Sequence, residues 1–171
     1  MPDKNAVIDL IDRGIELVTN TAFSLYLYNN PAVADAIRKE FDDPNATVNL
    51  GRKDGSNHAR RLHQDLAAAR TPGHNLKLLR DSFGMVVISV GDTVLNQGFH
   101  DGSALKQFLR HLRNACAHGN RWFLKSGEPK KPAKYRNFEV TSALDGTGPV
   151  FFDFMGAGDV LDLFEDLKKS L

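Results

Sequence analysis

The chain has 171 residues, 42% of them hydrophobic and 25% charged, a size and balance that suit one ordinary globular domain able to bury its own core without metals or cross-links. Its single cysteine, Cys116, excludes an internal disulfide; no apolar run reaches the ~18 residues of a membrane-spanning helix, and the first residues lack the order of a secretory signal, so a cytoplasmic protein without a membrane partner is expected. Net charge is only +1, far from the basic excess of a protein that coats nucleic acid, yet Lys and Arg accumulate between Lys106 and Arg136 around one acid, Glu128, a stretch that could meet a phosphate backbone.

Val7, Ile8, Ile11, Ile15, Val18, Ala22 and Leu25 recur every three to four residues and predict a first helix over about 4–28. Asn30-Pro31 then ends it and starts a second helix, Asn30 as its cap and Pro31 at the first helical position, running to about Phe41. Residues 42–55 are rich in Asp, Asn, Pro, Gly and Lys and read as a loop. Ala59, Leu62, Leu66 and Ala69 predict a short helix over 56–70, closed by Thr71-Pro72-Gly73.

Residues 75–96 carry Leu76, Leu79, Phe83, Val86, Val87, Val90 and Val94; the valines favour strand by propensity, but spacing and length decide for a buried helix. Ser103 caps the next helix, whose Leu105, Phe108, Leu109, Leu112 and Cys116 form one apolar arc, and Gly119 suits its left-handed end. Residues 125–134 read as a mobile basic loop. The β-type runs 135–144 and 150–154 flank Asp145-Gly146-Thr147-Gly148, a hairpin signal. A last helix begins near Asp159 and packs Val160, Leu161, Leu163, Phe164 and Leu167. The expected fold is a single all-α domain over 1–171: a helical bundle over 4–119, a basic loop over 120–134, then a small β-hairpin and the C-terminal helix over 135–171.

Chemistry concentrates on the helix that ends at Gly119. Wound at ~100° per residue, it turns Arg110, Asn114, Ala117 and His118 away from the apolar arc, with Lys106 and Arg113 toward one edge and His111 toward the other. His118 lies in the last turn, where the carbonyl end of the helix attracts positive charge. An imidazole one turn from a guanidinium and an amide can handle a phosphate, although an Arg that pairs along the helix and a His that caps its carbonyls explain the same residues without catalysis.

The string Leu112-Arg113-Asn114-Ala115-Cys116-Ala117-His118-Gly119-Asn120 resembles the HEPN superfamily, whose signature is Arg, four to six residues, then His, often with Asn after the Arg. The downstream Pro132-Ala133-x-Tyr135-Arg136-x-Phe138-Glu139-Val140 and Asp159-Val160-Leu161-Asp162-Leu163 are similar to the tail of several bacterial HEPN families. The resemblance implies a HEPN-like bundle acting as a metal-independent endoribonuclease with no cofactor, in which two copies of the motif meet in a homodimer. It implies attack by the 2′-hydroxyl on the adjacent phosphate, with His118 transferring protons, Arg113 holding phosphate oxygens and Asn114 orienting the His or the substrate. Arg110, His111, Arg121, Lys130 and Lys131 are expected to flank the RNA. A toxin or defence effector with a cognate antitoxin protein is one setting for such members; the alternative is a non-catalytic HEPN module for dimerisation or for nucleotide or RNA binding.

Other constellations are weaker. A metal site from His111, Cys116 and His118 would need residues from opposite faces of one helix. His58 and His63 are expected to be solvent-exposed on different sides of a helix. Gly51-Arg52-Lys53-Asp54-Gly55 lacks the ending of a phosphate-binding loop, and Asp42 and Asp43 suggest a solvated loop. Phe151, Phe152 and Phe154 favour packing over base stacking. Tyr26, Tyr28, Trp122 and Phe123 could line a cleft, against a plainer role in packing.

Overall fold

The computed structural model describes residues 3–71 and 73–171. In chain order they form α1 (Lys4–Asn29), α2 (Pro31–Glu40), β1 (Thr47–Gly51), β2 (Asn57–Arg61), α3 (Leu62–Ala69), α4 (His74–Asn96), α5 (Ala104–Ala117), β3 (Lys134–Tyr135), β4 (Phe138–Glu139), a 3-10 turn (Ser142–Leu144) and α6 (Ala157–Ser170). The result is mostly helical with two small antiparallel hairpins, so the expected helical bundle holds in outline, with two ribbons where one was expected. Among the described residues no helix is long and apolar enough to cross a membrane. The residues divide into two compact units, one comprising the chain up to Thr19 together with Arg80–Leu171, the other Asn20–Leu79.

The larger unit owes its core to helical spacing. Val7, Ile11 and Val18 line one stripe of α1, and Phe83, Val86, Val87, Val90 and Val94 fill α4, all buried. The valine-rich segment is thus helical, because a long helix buried on several sides needs apolar residues more than it needs helix propensity. Phe108, Leu109, Leu112, Ala115 and Cys116 of α5 and Val160, Leu163, Phe164 and Leu167 of α6 complete that core. Gly14 sits where α1 meets α4: a Cβ there would lie 2.5 Å from Cγ1 of Val86.

The C-terminal hairpin is not where the Asp-Gly-Thr-Gly signal suggests. Strands β3 and β4 pair Lys134 with Glu139 and Tyr135 with Phe138, and the turn between them is Arg136-Asn137, with Arg136 at φ 49°. Residues 145–150 instead bond back onto the segment after α5: the Trp122 N–H donates to Thr147 O, the Gly146 N–H to Trp122 O and the Val150 N–H to Asn120 O. A turn-rich sequence fixes a reversal but not the partner of the backbone that follows it. Trp122 is buried, edge-on to Phe154, and Phe83 packs on Phe151 and Phe152, the packing role expected for these aromatics.

In the smaller unit Asn30 caps α2 by accepting from the Ala32 N–H, with Pro31 first in the helix. The loop expected over 42–55 and the helix expected over 56–70 are both corrected. Residues 47–61 form an antiparallel ribbon in register from Thr47–Arg61 to Gly51–Asn57, and only Leu62–Ala69 is helical. The Arg52 N–H donates to Ser56 O and the Gly55 N–H to Arg52 O, with Gly55 at φ 83° closing the turn. His63, expected in solvent, bridges two carbonyls, Phe41 O and Asp43 O, at 2.8 and 3.1 Å.

Gly14→Ala should destabilise the protein by about 1–3 kcal/mol through overpacking, despite the better helix propensity of Ala. Adding Val86→Ala should cost less in that background than in the wild type, a coupling that a double-mutant cycle by urea denaturation reads directly. Additive losses would mean the two helices do not depend on this contact.

Candidate functional site

Helix α5 is buried over more of its circumference than its leucines suggest. Besides the expected arc, Lys106, Gln107 and His111 are buried, at 3%, 7% and 1% exposure, whereas Leu105 is half-buried. Two expectations therefore fail: neither Lys106 nor His111 is an edge residue of the helix, because both are buried. Lys106 is tolerated because its ammonium donates to Asp101 Oδ2 at 3.1 Å and to the Ser170 carbonyl at 3.2 Å, which ends α6. Ser103 occupies the N-cap without a side-chain cap bond to the helix; its N–H donates to Asp101 Oδ1, and Ser103 and Lys106 hold the Asp101 carboxyl well below the usual carboxylate range.

Arg113, Asn114, Ala117 and His118 form the strip that is left. Arg113 lies across α4 opposite Gly91, where a Cβ would come within 2.8 Å of Arg113 Cβ and Cγ. There its Nε and Nη2 donate to the two carboxylate oxygens of Asp92 at 2.7 and 3.0 Å, and Nη1 donates to Asn114 Oδ1 at 3.3 Å. Three of the five guanidinium N–H groups are thus engaged, which leaves two for a ligand. The Arg113 side chain keeps 29% of its surface exposed and Asp92 41%. Sequence reasoning missed Asp92, since nothing local links two helices to one another; the Gly91-Asp92 pair inside a valine-rich helix was its only trace.

His118 follows as the C-cap, its N–H donating to Asn114 O and Ala115 O. Gly119 takes φ 74°, which a residue with a Cβ adopts reluctantly, and this turns the chain so that Phe123 comes back over the imidazole. The two rings stack with centroids 4.1 Å apart and planes 29° from parallel. Ala117, His118 and Gly119 are all exposed, and Phe123 is 47% exposed. Beside this end of α5 runs a shallow groove of about 280 Å³ lined by Arg80, Gly84, Met85, Cys116, Gly119 and Asn120. Burial pushes the Cys116 thiol up to about 12, so it is protonated at neutral pH. Among the described residues no cluster of His, Cys, Asp and Glu could hold a metal ion.

The residues expected to flank RNA are scattered. Arg110 Nη2 donates to Glu128 Oε1 at 3.2 Å and to His111 Nε2 at 3.1 Å. Since a guanidinium only donates, His111 is neutral and carries its proton on Nδ1, a buried atom without a protein partner. Arg121 is exposed, with Nη2 on the Gly146 carbonyl at 2.7 Å. Lys130 and Lys131 are exposed, and among the described residues no hydrogen bond or ion pair links either to Arg113 or His118. The basic loop is anchored rather than free-standing: Leu124 and Ala133 are buried, the Leu124 N–H donates to Asp145, and Glu128 accepts from the Lys125 N–H.

Comparisons with protein-family models, with curated proteins and with solved structures find no match for this chain.

His111 titrates below its ordinary value, through burial first and the Arg110 charge second, with Glu128 opposing both. The unfolded chain therefore takes up a proton near pH 6.5 that the folded chain refuses. This contribution is fully present above that pH and is lost as the pH falls toward the depressed folded value. Stability should accordingly decline as the pH falls through about 6.5 toward that depressed value. His111→Gln, which offers Arg110 an acceptor but does not titrate, should show a shallower decline in denaturant melts; an unchanged pH dependence would place the acid sensitivity elsewhere.

Proposed function

We propose that the exposed end of α5 is a metal-independent RNA-cleaving site of HEPN type, completed by a second copy of the chain. The observation that supports this reading best is one strip of surface carrying both a geometrically fixed guanidinium, Arg113, and an exposed imidazole, His118, held flat by Phe123. In the proposed reaction the 2′-hydroxyl loses its proton to one imidazole and attacks the adjacent phosphorus. The P–O5′ bond breaks, the leaving oxygen takes a proton from the imidazole of the second copy, and a 2′,3′-cyclic phosphate remains. The two uncommitted N–H groups of Arg113 meet the phosphate oxygens as charge builds on them, and Asn114 orients the Arg through its Oδ1. The neighbouring groove beside Gly119 and Asn120 receives the adjoining nucleotide.

In this reading the partners are RNA, a second copy in a homodimer, and a cognate antitoxin protein that silences a toxin or defence effector in the cytoplasm; no cofactor takes part. A second reading, a non-catalytic module for dimerisation or for nucleotide or RNA binding, draws on the Asp92–Arg113 pair, because a carboxylate that answers the guanidinium charge weakens its hold on a phosphate.

Purified wild type should cleave single-stranded RNA equally with and without EDTA and leave cyclic-phosphate ends. Arg113→Ala and His118→Ala should each lower the rate by about 100-fold or more. Cleavage that survives His118→Ala, or that chelation abolishes, would overturn the proposal; RNA binding without cleavage in the wild type would favour the second reading.

A further inference from the structure

The ribbon β1–β2 is an anomaly of physical chemistry. All ten residues of its two strands are exposed, although an isolated two-stranded hairpin is at best marginal in water. It spends two of its apolar residues on solvent: Val48 is 46% and Leu50 56% exposed. The register sets Val48 opposite Arg60 and Leu50 opposite His58 on one face, and Thr47 opposite Arg61 and Asn49 opposite Ala59 on the other. The ribbon is thus an exposed strip that carries Val48 and Leu50 beside Arg60 and His58 on one face and Arg61 on the other.

Its charge is one-sided. Arg60 is answered by Asp65. Among the described residues Arg52, Lys53 and Arg61 have no carboxylate partner: Arg52 reaches only Ser56 Oγ at 3.2 Å and His58 Nδ1 at 3.5 Å. The one acid between residues 47 and 61, Asp54, folds back on its own turn, accepting from the Ser56 N–H at 2.9 Å and the Ser56 hydroxyl at 2.7 Å. Three cations unanswered by any acid, an imidazole and two bare aliphatic side chains on a narrow strip complement a chain that alternates phosphates with flat, poorly hydrated rings.

We infer that the β1–β2 ribbon is a binding arm for single-stranded RNA, with Val48 and Leu50 under the bases, Arg52 and Lys53 at the turn on phosphates, and Arg61, on the opposite face, meeting a phosphate where the strand passes around the ribbon's edge. Only the choice of RNA over another polyanion rests on the functional reading above. Cations that make phosphate contacts release counterions, so each should add about 0.7 to the salt slope of binding to a single strand. Aliphatic contacts should contribute a part that salt does not screen.

The test is fluorescence anisotropy of a labelled oligouridylate, read in the His118→Ala background so that cleavage plays no part. Replacing Arg52, Lys53 and Arg61 by Ala together should weaken binding at low salt by about 10-fold or more and flatten the slope of log affinity against log salt by about 2. Val48→Ser with Leu50→Ser should weaken binding while leaving that slope unchanged. Replacing Lys4, Lys39 and Lys77, also exposed, serves as the charge-matched control and should change little. Equal losses in ribbon and control variants would overturn the inference, as would ribbon-dependent capture by phosphatidylserine vesicles without RNA binding, or ribbon-dependent self-association of the free protein. If the wild type binds through the ribbon but never cleaves, the nuclease reading fails and the arm stands; if cleavage and binding are both indifferent to the ribbon, the arm fails and the nuclease stands.

Discussion

The rotation of α5 about its own axis is the constraint from which the rest of the candidate site follows. Phe108, Leu109, Leu112 and Ala115 are fully buried, and turning the helix by even one residue position would expose two large apolar groups at a cost of about 1.5–3 kcal/mol each. Buried Lys106 and His111 add to this, because each is tolerated only where its present partners reach it. With the rotation fixed, Arg113, Asn114, Ala117 and His118 have no freedom to be anywhere but on the remaining strip. The candidate site is therefore set by packing, and its polar residues are placed by buried leucines and a phenylalanine.

Within that strip, two contacts convert placement into geometry. Gly91 clears a channel on α4 in which the Arg113 stem lies, and Asp92, the next residue, grips the guanidinium on its Nε edge. Gly119 reverses the chain so that Phe123 can cover one face of the His118 ring. Both devices order a long or rotatable side chain before any ligand arrives, which lowers the entropy that binding must supply. Both also explain the plainer alternative, since a paired Arg and a stacked His are satisfied residues that need no substrate.

Much of this was legible in the sequence because it is periodic. The stripes of α1, α4, α5 and α6 emerge from spacing alone, and so do Asn30, Pro31 and Gly119 as helix punctuation. What escaped was whatever depends on a partner far along the chain. The β1–β2 ribbon has Thr47 and Val48 as its strand formers, its other residues being Asn, Leu, Gly, His, Ala and Arg, without the run of β-branched and aromatic residues that marks a strand, and it is held by register and a tight turn rather than by a buried face. The C-terminal reversal at 145–148 was visible, but its hydrogen bonds go to 120–124. His111 looked like a surface residue because a core position can accept an imidazole once a neighbouring cation supplies the hydrogen bond, and no local pattern announces Arg110 in that role.

The run of cations from Lys106 to Arg136 shows why a charge count is a poor guide to a binding surface. Lys106 is answered by Asp101, Arg110 by Glu128, Arg113 by Asp92, and Arg136 by Asp162 and Asp166. With Lys134 beside Glu139, five of the nine cations in this stretch are taken up by ion pairs, and all but one of the acids, Glu128, lie outside it. For the proposed chemistry this is an advantage rather than a defect. A guanidinium half-committed to Asp92 holds a ground-state phosphate monoanion weakly, whereas the greater charge on the oxygens at the point of attack draws on the same N–H groups more strongly. Only interactions that strengthen toward the transition state accelerate a reaction, so an Arg shared with a carboxylate discriminates between the two states better than a bare one. Affinity for the polymer must then be supplied by surfaces without internal acids, and the ribbon with its unanswered Arg52, Lys53 and Arg61 is one part of the chain where charge is left over for it.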